Sequence, residues 1–123
     1  MATENVDFNP SGNPIKAEIT CGFVQDGAYI LTLWDGNQIV QRWEGNFLNT
    51  DDDAYVLPGP ASSHDGRVLQ CRAEVSIEPP IDDYSFKMTL TQDGAEIAVV
   101  EESGKAPLGS LKGVNLFARL AAR

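Results

Sequence analysis

Apolar residues that return at every second position constrain this chain most. Ile15, Ala17, Ile19, Cys21 and Phe23 alternate with Lys16, Glu18, Thr20 and Gly22, the pattern of a strand with one face buried and the other wet. Leu69, Cys71, Ala73, Val75 and Ile77 repeat it against Gln70, Arg72, Glu74 and Ser76. Tyr84, Phe86, Met88 and Leu90 do so again, and Val114, Leu116, Ala118 and Leu120 close the series. The last stretch, "LFARLAAR", also has helical propensity, which makes a short terminal helix the alternative there. Elsewhere no helical period of 3.6 stands out. Strands are expected over 15–23, 28–34, 37–44, 54–57, 69–77, 84–92, 95–101 and 114–120.

Punctuation supports the same reading. Asp-Gly occurs at Asp26-Gly27, Asp35-Gly36, Asp65-Gly66 and Asp93-Gly94, each just before an expected strand. Aspartate caps or tolerates a turn and glycine supplies positive φ, so these pairs need no ligand to explain them. Asp35-Gly36 and Asp93-Gly94 each join two strands as a hairpin. Seven or eight evenly spaced strands predict an all-β fold, an antiparallel β-sandwich or jelly roll, with a closed up-and-down barrel as the alternative. The short strand at 54–57 and its flank "LPGPASSHDG" favour a chain that crosses between two sheets. At 123 residues one β domain is expected, with residues 1–13 a flexible N-terminal arm. "YILTLWDGNQIVQRWEG" can also be laid over "FKMTLTQDGAEIAVVEESG", each preceded by a cysteine-bearing strand, which raises a twofold internal repeat.

Strand 28–34 is apolar on both sides. Ile30 and Trp34 flank Thr32 on one face, while Tyr29, Leu31 and Leu33 share the other. A two-residue turn at Asp35-Gly36 sets Thr32 opposite Ile39 and Ala28 opposite Trp43, which groups Trp43 with Ile30 and Ile39 in the core. Tyr29 and Trp34 are then the aromatics free to reach solvent. Leu31, Leu33 and Val40 form a second apolar face that needs a cover, which points to a homo-oligomeric assembly protein as the alternative function.

Eighteen acidic against nine basic residues give a net charge of −9, which repels phosphate backbones and anionic membrane surfaces. No nucleic-acid partner is expected. No apolar run approaches the roughly 18 residues that span a bilayer, so no membrane insertion is expected either. "MATENVDFNP" lacks the basic and then apolar pattern of a secretory leader, which tilts the compartment toward the cytoplasm. Two cysteines and one histidine do not make a structural zinc site. Cys21 and Cys71 read as buried thiols, with a disulfide as the other option. "SSHD" holds the residue types of a hydrolytic triad but on one contiguous loop, so catalysis is not favoured and no catalytic residue is assigned.

If every connection reverses direction, the loops before strands 28–34, 54–57, 84–92 and 114–120 share one end. That end collects Asp51, Asp52 and Asp53 with Asp82 and Asp83. "NTDDDAY" lacks the alternating acids and glycine of an EF-hand, although calcium can be held by acids from separate loops. A sandwich whose aromatic face stacks on sugars or peptides is the other route to a ligand. The expected function is therefore a non-catalytic binding module that recognises a carbohydrate, a protein or a cation through loops. Its candidate ligand residues are Asp51, Asp52, Asp53, Asp82, Asp83, Trp34 and Tyr29, with calcium the one cofactor considered.

Overall fold

The computed structural model describes residues 1–23, 26–47 and 53–123. Among the described residues nine strands run in chain order: β1 (Ala2–Phe8), β2 (Lys16–Cys21), β3 (Gly27–Asp35), β4 (Gln38–Asn46), β5 (Ala54–Val56), β6 (Val68–Ser76), β7 (Asp83–Gln92), β8 (Ala95–Lys105) and β9 (Leu111–Ala122). One 3-10 turn, Ala61–His64, lies before β6. All eight strands expected from the apolar period are present, and the C-terminal segment is a strand rather than a helix. Two sheets form, ordered β1-β9-β6-β3-β4 and β5-β2-β7-β8, and they do not join into a barrel. The fold is a β-sandwich.

Alternation decides what fills the space between the sheets. Leu31, Leu33, Leu69, Cys71 and Leu116 from the larger sheet meet Ile19, Phe86, Met88 and Leu90 from the smaller, all essentially inaccessible to solvent. Each large side chain so buried contributes about 1.5–3 kcal/mol relative to its exposed state. Leu31 and Leu33 thus find their cover inside the same chain. The second apolar face that suggested a need for oligomers is the core itself. Val40 is not part of it and stays exposed.

Two further expectations are corrected. Residues 1–13 are no loose arm: β1 pairs in parallel with β9, Ala2 level with Leu116 and Phe8 with Ala122, and buries Val6 and Phe8. The loop that follows is tied down by Gln92, whose side chain accepts from Asn9 N at 2.9 Å and donates to the carbonyls of Asn9 at 2.7 Å and Asn13 at 3.0 Å. Asp93 accepts from the backbone and side chain of Asn13 at 3.0 and 2.7 Å. The β1–β9 ladder also makes the larger sheet mixed rather than wholly antiparallel.

The β3–β4 register differs from the expected one as well. Asp35 pairs with Gln38, so the turn residues are Gly36 and Asn37, and Gly36 takes φ +61° as the first of them. A bulge between Leu33 and Trp34 moves the register again. Trp43 therefore lies opposite Leu31 on the inner face, and Ile39 opposite Trp34 on the outer one. Trp43 does pack on the core, but apart from Ile30 and Ile39. An odd slip in register moves every side chain to the other face of a sheet.

The strand order carries the twofold repeat raised by the sequence. Replacing β2, β3, β4 and β5 by β6, β7, β8 and β9, and the reverse, turns β5-β2-β7-β8 into β9-β6-β3-β4. Each half gives one sheet a hairpin and the other two flanking strands. Even the irregularities correspond, since the second hairpin is bulged between Leu90 and Thr91 as the first is between Leu33 and Trp34.

Candidate functional site

Among the described residues Asp53 lies apart from Asp82 and Asp83. Asp51 and Asp52 lie outside the described residues. Asp53 sits beside β2, its carbonyl accepting from Ile19 N at 2.8 Å, and Ile19 is level with Met88 of β7. Asp83 lies on β7 at the Phe86 end, and the step from Met88 back to Asp83 is five residues, roughly 17 Å at strand rise. Asp82 and Asp83 share the ammonium of Lys105, at 3.3 and 2.8 Å. Those contacts hold the Lys105 amine above its usual range, the hydrogen bond to Asp83 most of all. Among the described residues no group of three or more His, Cys, Asp or Glu side chains could hold a metal ion.

Tyr29 is an inner residue, only 3% exposed, and not a solvent-facing aromatic. Its hydroxyl donates to Asp53 Oδ1 at 2.6 Å and shares a 2.5 Å hydrogen bond with the Tyr55 hydroxyl. Burial first, then the bonds to Asp53 and Tyr55, push its pKa well above the ordinary phenol value. Its ring packs on Phe47 and Phe86, and Trp43 stacks at a tilt on Tyr55. Gly45 lies opposite Tyr29 because a Cβ there would overlap the Tyr29 ring and come within 2.8 Å of the Tyr55 hydroxyl. This cluster closes the side of the sandwich between β4 and β5.

Cys71 and His64 are withdrawn from solvent, while Cys21 is half-buried. Cys71 is fully buried and its thiol is pushed up to about 12, by burial alone. Burial, with help from Asp26, pushes Cys21 up to about 11. The two remain free thiols. His64 is buried in the 3-10 turn with Nδ1 3.2 Å from Arg67 Nη1. Burial, and then the Arg67 charge, hold its pKa below the ordinary value, offset in part by the Pro58 carbonyl.

Trp34 is half-buried on the outer face of the larger sheet, not on the inner face that it was expected to share with Ile30, Ile39 and Trp43. Its indole N–H donates to Gln70 Oε1 at 3.0 Å, and Gln70 Nε2 donates to Asn115 Oδ1 at 3.0 Å, so a polar ladder crosses β3, β6 and β9. Toward the other end of β3 the same face opens into a hollow of about 590 Å³. Ala28 and Ile30 floor it, and Glu44, Asn46, Arg72 and Glu74 stand around it. The cross-strand rows explain the shape: Ala28 pairs with Glu74, which pairs with Gly113, so two small residues flank one long side chain. A second hollow of about 300 Å³ lies on the Gly113 and Asn115 side of Arg72. Arg72 makes no ion pair among the described residues, although Glu44 and Glu74 are near. None of these residues except Trp34 was singled out from the sequence as a ligand residue.

Compared with protein-family models, curated proteins and solved structures, the chain matches none. No helix among the described residues is long and apolar enough to cross a membrane.

Proposed function

We propose that the chain is a non-catalytic binding module that holds a carbohydrate against the open face of its larger sheet. The observation that carries this reading is the hollow beside Arg72, an apolar floor of Ala28 and Ile30 ringed by planar polar side chains. A sugar ring has one apolar face and a rim of hydroxyls that both donate and accept. Arg72 donates, Glu44 and Glu74 accept, and the floor takes the apolar face. Ile30, Thr32 and Trp34 alternate along the outer side of β3, four residues or about 13 Å from first to last. That length suits an oligosaccharide, with Trp34 offering an aromatic edge for stacking at its far end. Binding rather than turnover is favoured because the Cys71 thiol and the His64 imidazole lie inside the fold and the half-buried Cys21 thiol is held protonated.

Isothermal titration against a panel of neutral and acidic oligosaccharides tests the reading. Arg72→Ala and Trp34→Ala should each weaken binding about tenfold, equivalent to about 1.4 kcal/mol. Asp82→Asn, on the loop before β7, should leave affinity unchanged. Absence of binding across the panel, or affinity untouched by Arg72→Ala and Trp34→Ala, would overturn the proposal.

A further inference from the structure

A sandwich has four edge strands, and here three of them are guarded among the described residues. β1 and β8 lie against one another across the layers, and β8 carries exposed Glu96 and Glu101. β5 is three residues long. β4 is nine residues long, has β3 as its one sheet neighbour among the described residues, and is exposed on both faces from Gln38 to Arg42. Ile39 and Val40 on it are 53% and 36% exposed. A long edge that presents outward-turned backbone at Arg42 and Glu44 and carries no proline or lysine is a template for another strand.

The backbone says which groups are free. Phe47 N donates to Gly27 O at 3.0 Å, so by alternation residues 45, 43 and 41 also turn their backbone groups toward β3. Arg42 and Glu44 turn theirs outward. We propose that β4 pairs antiparallel with the β4 of a second copy of this chain, about a twofold axis at Trp43. Outward-turned residues must meet outward-turned residues, which restricts the register to a few choices. An axis at Arg42 would set Arg42 against itself. An axis at Trp43 sets Arg42 of each copy opposite Glu44 of the other, so the Arg42–Glu44 ion pair that each chain makes within itself at 3.3 Å is exchanged for two between the chains. It also brings Ile39 and Val40 level with residues 46 and 47 of the second copy, covering apolar surface that the monomer leaves wet.

The twofold lies across the sheet, so the two larger sheets become continuous and their outer faces look the same way. The dimer would join at the rim of the hollow, because Glu44 borders both, and two hollows on one face would raise the avidity for a polymer.

Sedimentation velocity with a charge-swap pair tests it. The wild-type chain should dimerise at submillimolar concentration. Arg42→Glu sets Glu against Glu44 of its partner and Glu44→Arg sets Arg against Arg42, so each variant alone should be a monomer with an unchanged circular dichroism spectrum. An equimolar mixture of the two variants restores opposite charges at both pairs and should recover the dimer. Effects confined to one chain would not be mended by mixing. A monomeric wild type, as expected if β4 receives a strand from a different protein, would overturn the proposal, and so would a mixture that stays monomeric.

Discussion

Single side chains show where sequence patterns stop being sufficient. Trp43 could be placed on the core, but its neighbours could not, because the face depends on which two residues make the turn and on a bulge one step away. Gly45 is similar: nothing local marks it, and its role comes from the Tyr29 ring across the ladder. Gly45→Ala should cost about 2 kcal/mol by overpacking. Tyr29→Phe should cost about 1 kcal/mol through the lost bond to Asp53 and should also make room at Gly45. The double variant, followed by urea unfolding, should therefore lose less than the sum of the two single losses.

His64 gives a prediction at the same scale. The folded chain binds the imidazole proton less tightly than the unfolded chain does. The His64 contribution is thus complete above the unfolded value of about 6.5, and is lost as the pH falls through it toward the lower folded value. The melting temperature should drop from about pH 7 to about pH 5, and His64→Gln should flatten that slope whatever it does to stability at neutral pH. An identical slope in the variant would show that other groups set it.

Elements were legible where an apolar period or a turn signal marked them. β6 and β7 bury alternate residues along most of their length and could be read directly from the period. β1 buries only Val6 and Phe8 within a polar stretch, and its ladder with β9 is parallel, between opposite ends of the chain. Two apolar residues do not separate a strand from an arm. Phe8 is 2% exposed, so Phe8→Ala should lower the unfolding free energy by about 3–5 kcal/mol, read by chemical denaturation. A loose arm would give no change.

At the scale of the whole molecule, the twofold strand order was foreshadowed by the two matching hairpins, because both halves repeat a local pattern. The hollow was not, since it needs Ala28, Glu74 and Gly113 in one row and Arg72 beside them, a register that joins β3, β6 and β9. The acids drew attention by their number in the sequence, yet Asp82 and Asp83 are engaged by Lys105 and Asp53 by Tyr29. Arg72, without an ion pair among the described residues of a chain of charge −9, is the less conspicuous and more informative charge.

The most direct test of the sheet-face site is an amide and indole chemical-shift map of the labelled protein titrated with an oligosaccharide that it binds. Shifts should be concentrated at Ile30, Glu44, Arg72, Glu74 and the Trp34 indole N–H, with the loops around Asp82 and Gly109 unmoved. Shifts confined to those loops, with Arg72 and Trp34 silent, would contradict it.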